Sequence, residues 1–419
     1  MRIAIVGAGI SGLTAAHLLD PVHDVTVFEA AGYAGGHTNT IRVDTPHETH
    51  HVDTGFIVFN DRNYPRFERL LGRLGVASQP STMSFSVSDG RGDFEYSGGS
   101  PNGLYAKRAH LVTPWFQRMI ADLVQFNRAA RSLVRDGPAS GSAAEISLGH
   151  WLEAHRFSRP FIERLIVPQA SAVWSADPAQ MWTFPARFLA EFFDNHGMLG
   201  LRHRPHWRTI RGGSARYVEA LTARLRGRLR LATPVQSIRR SPAGVLVRPR
   251  GGDAEPYDEV VLATHSDQAL ALLGDATELE RELLGAITYQ DNEAVLHTDS
   301  AVLPRRRRAW ASWNYHLLPD PGSRTTVTYH MNRLQTLSAE REFCVTLNRS
   351  EAIDPSRIIR RIGYAHPVYT PAGVAAQARV EEISGRNRTH FCGAYWGWGF
   401  HEDGVVSAER VAARLGVPG

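Results

Sequence analysis

The segment RIAIVGAGISGLTAAHLL, residues 2–19, reads as a strand, a tight turn and a helix. Ile3, Ile5 and Val6 supply a short buried strand, and Gly7, Gly9 and Gly12 stand at G-x-G-x-x-G spacing. In such a turn the first glycine bends the chain, the second lets a pyrophosphate approach the backbone, and the third lets helix and strand pack closely. The anion then rests on free N–H groups at the helix N-terminus. Gly7, Ala8, Gly9, Ile10, Ser11 and Gly12 are therefore the expected cradle. The pattern alone is weak, but its context is present. DVTVFEA, residues 24–30, is a second strand ending at Glu29, 17 residues after Gly12, where a carboxylate beside Ala30 can bind ribose hydroxyls.

Around this motif the chain runs to 419 residues, enough for about two to three units. Hydrophobic residues make up 43% and charged residues 21%, as in ordinary globular proteins. The two cysteines, Cys344 and Cys392, are too few for a disulfide framework, which points to a reducing compartment. The formal charge is +5, carried almost wholly by arginine, with Lys107 the one lysine. That basicity reads either as compositional bias or as attraction to an anionic partner such as a phospholipid surface, with the run Arg305–Arg308 as the candidate patch. No motif frames the arginines as a nucleic-acid module. The strand-and-glycine opening does not read as a signal peptide, and no apolar run reaches bilayer length. The expectation is a cytoplasmic protein, at most peripheral at the inner face of a membrane.

After Glu29 comes AAGYAGGHTNT, residues 30–40. The paired Gly35-Gly36 six residues beyond Glu29 resembles the FAD-binding signature of the flavin-containing amine oxidase and phytoene desaturase superfamily. An arginine often follows the glycine pair there, whereas this chain has His37, then Thr38. HHVDTGFIVFN, residues 50–60, resembles the segment that passes beside the flavin, with Asp53, Thr54, Gly55 and Phe56 as its turn. The resemblance implies non-covalent FAD and a glutathione-reductase type Rossmann-like α/β domain with an interleaved α+β substrate domain. The corresponding boundaries are 1–80, 205–285 and 376–419 for FAD, and 81–204 and 286–375 for substrate.

Between these motifs, Tyr64, Phe67, Leu70, Leu71 and Leu74 have helical spacing. Residues 84–98 read as a hairpin turning at Asp89-Gly90, and about 114–204 as a helical cap with a stripe of Trp115, Met119, Ile120, Leu123 and Phe126. Residues about 286–375 hold longer strands, suited to the floor of a substrate domain. By resemblance, Val235 lies where backbone groups hold the adenine, and Thr264 ends a returning strand. At the C-terminus, THFCGAYWGWGFHEDGVVSAERVAARL, residues 389–415, resembles the family's last strand, turn and helix. There Gly393 and Ala394 lie under the ribityl chain. A helix starting near Gly404 would aim the N–H groups of Val405 and Val406, beside Asp403, at the flavin's pyrimidine edge.

Amine oxidation in this superfamily commonly uses a lysine at the start of a substrate-domain strand. The matching strand here offers Glu293, or Asn292 if the register slips. Glu293 is the expected base, Phe400 an apolar wall flanked by Trp396 and Trp398, and His401 a support for the flavin. No histidine or acid grouping has metal-ligand spacing, so no metal is expected. Motifs such as NHG at Asn195 and CGAY at Cys392 resemble a bacterial subgroup similar to the N-terminal domain of plant cyclopropane fatty acid synthases. That resemblance implies a lipid substrate and association with an acyl-chain-modifying methyltransferase. The leading expectation is desaturation of a fatty acyl or methyl-branched acyl chain. Oxidation of a small amine or amino acid, double-bond isomerisation, and a non-catalytic FAD scaffold are the other readings.

Overall fold

The computed structural model describes residues 1–136, 146–200, 204–320 and 324–417. Its first layer is a five-stranded parallel sheet in the order Arg228–Arg230, Asp24–Phe28, Arg2–Val6, Glu259–Leu262, Thr389–Phe391. Side chains alternate across it, as the two-residue period of a strand requires. Ile3, Ile5, Val25 and Val27 face the helices Ile10–Leu19, Pro65–Leu74, Ala215–Arg224 and His401–Arg414. Ala4, Val6, Phe28 and Val260 face an antiparallel meander, Val235–Ser241, Gly244–Pro249 and Glu255–Tyr257. Both faces are covered, which explains the near-continuous apolar reading of the strands.

The second sheet has seven strands, in the order Ile358–Val368, Thr288–His297, Cys344–Leu347, Val327–His330, Trp313–His316, Phe85–Ser88, Glu95–Ser97. All neighbours are antiparallel except Trp313–His316 against Phe85–Ser88. The helices Pro114–Arg135, Leu148–Ala154, Val167–Trp174 and Ala186–Asn195 cover it with an aromatic core. The buried stripe of the first is Phe116, Met119, Asp122, Phe126 and Ala130, while Trp115, Ile120 and Leu123 are only half-buried. The expected stripe is thus rotated by about one position, because the helix turns the buried Asp122 inward to accept from Arg118 Nε (2.8 Å) and the Ser158 amide (3.0 Å).

Within the arginine run, Arg306 is half-buried while Arg305, Arg307 and Arg308 are exposed, and each makes contacts within the chain. The amides of Arg305 and Arg306 and the Arg306 guanidinium all bond the buried Glu95 carboxylate, Arg307 lies over the Trp310 ring, and Arg308 Nε donates to the Ala106 carbonyl. A buried carboxylate demands such partners, and two amides and the Arg306 side chain meet that demand, while Arg307 and Arg308 pin the following turn. Both cysteines are free and buried. Among the described residues, no helix is long and apolar enough to cross a membrane.

Candidate functional site

The site is built at the C-terminal ends of the parallel strands, the usual ligand crevice of an open α/β sheet. Gly7 has φ +104° and packs on the Ala263 carbonyl, where a Cβ would come within 2.6 Å. A Cβ on Gly12 would lie 1.9 Å from the Gly7 carbonyl oxygen, so the helix can start against the strand only with glycine there. A Cβ on Gly9 would meet nothing within 4 Å, leaving its side of the turn open to a ligand. The helix begins at Ile10, and its first N–H groups lack intrahelical partners. Glu29 accepts from the amides of Ala8 (2.7 Å) and Ala31 (2.8 Å), which fixes its carboxylate at the edge of the cradle with lone pairs to spare for hydroxyls. Ala30 is exposed beside it. The loop after Glu29 meets the chain again at Thr233, whose amide bonds the Glu29 carbonyl, and Val235 opens the meander just beyond. A diphosphate with a ribose on each side fits this donor set.

The second turn closes over the first. The Gly35 amide donates to the Ala8 carbonyl (2.8 Å), and Gly36, at φ +58°, stacks on Gly9. His37 is half-buried, its carbonyl accepts from the Phe56 amide, and its ring stacks on Tyr364 with centroids 4.9 Å apart. Its Nε2 has no partner. A Cβ on Gly55 would lie 2.1 Å from the His37 carbonyl, so this crossing also needs glycine. Thr54 bonds the Asn39 carbonyl and the Tyr364 hydroxyl. Asp53 is a buried hub accepting from Thr40 (2.6 Å), the amide and hydroxyl of Ser214 (2.8 Å each) and Gln335 (2.9 Å). Burial pushes its carboxyl up to about 7. Thr264 sits beside Gly7, where its amide would be 3.2 Å from a Gly7 Cβ.

The C-terminal turn differs from its expected role. The helix starts at His401, not near Gly404, because the Asp403 carboxylate accepts from the Phe400 amide (2.9 Å) and caps it early. Val405 and Val406 therefore lie past the first turn, where their amides are spent within the helix, and cannot be the free donors expected of them. Burial raises the Asp403 carboxyl to about 6. Gly404 serves helix packing, since a Cβ there would come within 2.8 Å of Ser11 Oγ and 2.9 Å of Ile10. Gly393 donates its amide to Ser407 Oγ (3.0 Å), and the Tyr395 ring lies where a Gly393 Cβ would go, one residue past Ala394. His401 is buried, with Nε2 bonded to Tyr217 (2.8 Å) and Thr38 (3.0 Å) and its ring stacked on Phe56. Burial drives its pKa well down, so it is a neutral imidazole joined to the Thr38 and Tyr217 hydroxyls, which also bond each other. Thr38, Phe56 and His401 are thus brought together just beyond the Gly35-Gly36 turn.

Phe400 stacks on Phe192 at 5.4 Å, and Trp398 meets Phe188 and Phe192 edge-on. Trp174 Nε1 donates to the Trp398 carbonyl (3.2 Å), and Tyr369 stacks on Phe188. Trp396 is not part of this wall. It packs on the meander side with Phe391 and Ile383. Glu293 is corrected as well. Its carboxylate points outward, 41% exposed, and pairs with Arg361 at 3.0 Å. The inward neighbour is Asn292, which bonds His366 Nδ1 (2.9 Å) and accepts from Asn348 (2.6 Å). Alternation along the strand decides this, because adjacent residues face opposite sides. Lys107 is far off in the hairpin region, bonded to the Asp93 carbonyl. His265, His366, Tyr364, Tyr217 and Gln335 have no signal in the local motifs around them, although Tyr217 follows the Gly212-Gly213-Ser214 turn.

Residues 10–298 match the family described as flavin containing amine oxidoreductase. The chain belongs to that family. Its cofactor is FAD and its class is that of FAD-dependent oxidoreductases. A zeta-carotene desaturase of Synechocystis sp. is 35% identical over 196 residues, 42% of this chain and 38% of the relative. The alignment thus spans well under half of that relative's length. Among solved structures, cyclohexylamine oxidase from Brevibacterium oxydans superposes with TM-score 0.71 at 18% identity, covering 98% of each chain. A CLA-producing fatty acid isomerase from P. acnes superposes with TM-score 0.64 at 17% identity, covering 99% of this chain and 98% of that one. At those identities the likeness is one of fold.

Proposed function

We propose that the protein dehydrogenates an apolar acyl chain, with a fatty acyl or methyl-branched acyl lipid as substrate. The observation that carries this reading is the wall of Phe400, Trp398, Phe192, Phe188 and Tyr369, combined with the neutral Asn292 at the inward strand position. An ammonium substrate would require a proton acceptor or a counter-charge, and Glu293 faces away from the wall. An aromatic wall instead favours hydrocarbon through burial, at about 25 cal/mol per Å². Bound FAD would supply the two-electron acceptor. The chain's own residues would orient the acyl chain and exclude water. The proton released with the new double bond needs an acceptor, and His196, stacked on Phe192, is the imidazole we assign beside the wall, kept neutral but weakly basic by burial. Its Nδ1 donates to the Phe192 carbonyl (2.9 Å), which leaves Nε2 as the acceptor nitrogen, and burial lowers its pKa to about 4. The ring stacks on Phe192 and lies 6.2 Å from Phe400.

On this reading the acyl chain comes from a membrane surface, and a methyltransferase acting on acyl chains is the expected neighbour. The desaturase and fatty acid isomerase likenesses lend support, since both names denote work on long hydrocarbon chains. The test is anaerobic. FAD-loaded protein is mixed with phospholipids bearing unsaturated or methyl-branched chains, and separately with amines, while flavin absorbance is followed. Bleaching by lipid with a product two hydrogens lighter supports the reading. Bleaching by an amine alone overturns it, and a product of unchanged mass replaces it with isomerisation.

A further inference from the structure

One short turn, Arg108–Val112, carries two adjacent apolar side chains out into solvent: Leu111 is 53% exposed and Val112 is 83% exposed. The turn is held firmly from below. His110 is buried and stacks on Phe116 with centroids 4.3 Å apart. The Gln117 side-chain amide donates to the His110 carbonyl (2.8 Å) and the Leu111 carbonyl (3.1 Å), and Thr113 Oγ1 donates to the Ala109 carbonyl (2.8 Å). Its carbonyls are therefore satisfied from within the chain, while Leu111 and Val112 stand outward beside the exposed Ala109 and Pro114. Single exposed apolar residues are ordinary, but a contiguous apolar tip calls for an explanation.

The surroundings of the tip are basic. Arg108 lies within the turn, exposed, with its guanidinium spread over the Tyr105 carbonyl (2.9 Å) and Asn102 Oδ1 (2.6 Å). Arg308, exposed beside Arg307, is tied to the same region through the Ala106 carbonyl (2.7 Å). The charges acting on buried His110 are those of Lys107, Arg306 and Arg164, all positive. Asp93 at the rim is engaged by Lys107 at 3.6 Å. The helix Pro114–Arg135 follows the tip directly. Its outward positions Arg118, Ala121, Val124, Gln125, Arg128 and Arg135 recur every three to four residues, and its acid, Asp122, is turned into the core. An apolar tip and a helix face whose exposed charges are all positive complement an anionic lipid surface, where apolar side chains enter the acyl boundary and arginines stay at the phosphates.

We propose that the turn Arg108–Val112 and the outward face of Pro114–Arg135 dock the protein on a bilayer bearing anionic lipid, with Leu111 and Val112 inserted. The inference rests on the acyl-lipid reading for its purpose, since such docking delivers acyl chains to the protein. Phe116, which anchors the tip, belongs to the same aromatic core as Phe188 and Phe192 of the wall.

The experiment floats the FAD-loaded full chain with vesicles of phosphatidylcholine, alone or with about one-third phosphatidylglycerol. The protein should float with the anionic vesicles, and high salt should weaken that binding by screening the arginines. The double variant Leu111→Ser with Val112→Ser should partition about tenfold less, with Tm and FAD content unchanged because both side chains are exposed. Arg108→Gln and Arg307→Gln should each cost up to about fivefold. Val22→Ser is the control: Val22 is 63% exposed but lies between Asp20 and Asp24, so flotation should not change. No flotation on anionic vesicles, or a double variant that floats like the wild type, overturns the proposal. So does a dimer in light scattering that the double variant dissolves, since the tip would then belong to a second copy. Flotation without flavin bleaching by any acyl lipid keeps the docking face and removes the dehydrogenation reading. Bleaching by a soluble acyl substrate without flotation keeps that reading and removes the docking face.

Discussion

The glycine cradle and the aromatic wall are made in different ways. The cradle is backbone against backbone: Gly12 on Gly7, Gly36 on Gly9, Gly55 on His37. The wall is side chain against side chain, with Phe400 and Trp398 from the C-terminal turn resting on Phe188 and Phe192 of a cap helix. A backbone crossing tolerates one residue type and leaves a fixed spacing in the sequence. A side-chain wall tolerates many apolar residues and leaves none. The cradle is accordingly brittle and generic, while the wall is adaptable and, on the proposed function, sets the substrate preference.

This contrast makes Gly12→Ala the most damaging change. Its methyl would sit 1.9 Å from the Gly7 carbonyl, a contact with backbone that cannot yield. We expect loss of bound FAD and destabilisation of about 3 kcal/mol or more, measured as flavin content and chemical denaturation. Gly9→Ala is the control. Its methyl has free space in the empty turn, so the fold should persist while FAD affinity falls. Equal damage from both would mean that the cradle is not shaped around a ligand.

On the other side, Phe400→Ala should cost about 2 kcal/mol in stability, less than for a fully buried ring, because Phe400 is only half-buried. FAD content should stay normal while KM for an acyl substrate rises about tenfold or more, since lost apolar contact weakens binding of the chain. A loss of FAD with substrate binding intact would move Phe400 from the wall to the cradle.

The same contrast explains what was legible. Gly7, Gly9, Gly12, Glu29 and the Gly35-Gly36 pair could be read because each acts through local backbone geometry. So could the strands, whose apolar runs follow from burial on both faces. The helix start at His401 was missed because a capping carboxylate, Asp403, outweighed the glycine at 404. The packing of His37 against His265 and His366 was invisible because residues 37, 265 and 366 meet only in the folded chain. The buried stripe in Pro114–Arg135 includes an acid, Asp122, satisfied by Arg118 one turn away and by the distant Ser158 amide, which apolar spacing alone does not signal.

Asp403 gives a smaller effect with a definite sign. Its carboxyl is raised by burial to about 6 in the folded chain, so the folded state favours the protonated form. Its contribution is best below the usual carboxylate range near 3.8 and declines as pH rises to about 6. Asp403→Asn keeps an oxygen for the Phe400 amide and removes the titration. The variant's Tm relative to wild type should therefore rise from about pH 4 to 6 and level off beyond. Asp403→Ala also removes the titration, so it should stay about 1 kcal/mol below Asp403→Asn at every pH, the usual worth of a cap, and its loss relative to wild type should shrink from about pH 4 to 6.

The smallest expected effect belongs to Glu293, and its smallness is informative. The strand Thr288–His297 alternates, with Asn292 and Ala294 buried and Glu293 turned to solvent against Arg361. An exposed pair of this kind is worth about 1 kcal/mol or less. Glu293→Gln should leave turnover and its pH profile unchanged within about twofold, with stability shifted by less than about 1 kcal/mol. Asn292→Leu, one residue away, removes the amide that orients His366 and strands Asn348, so it should disturb FAD binding far more. If Glu293→Gln abolished turnover while Asn292→Leu were silent, the strand would be read in the wrong register, and every assignment made from its inward face would move by one residue.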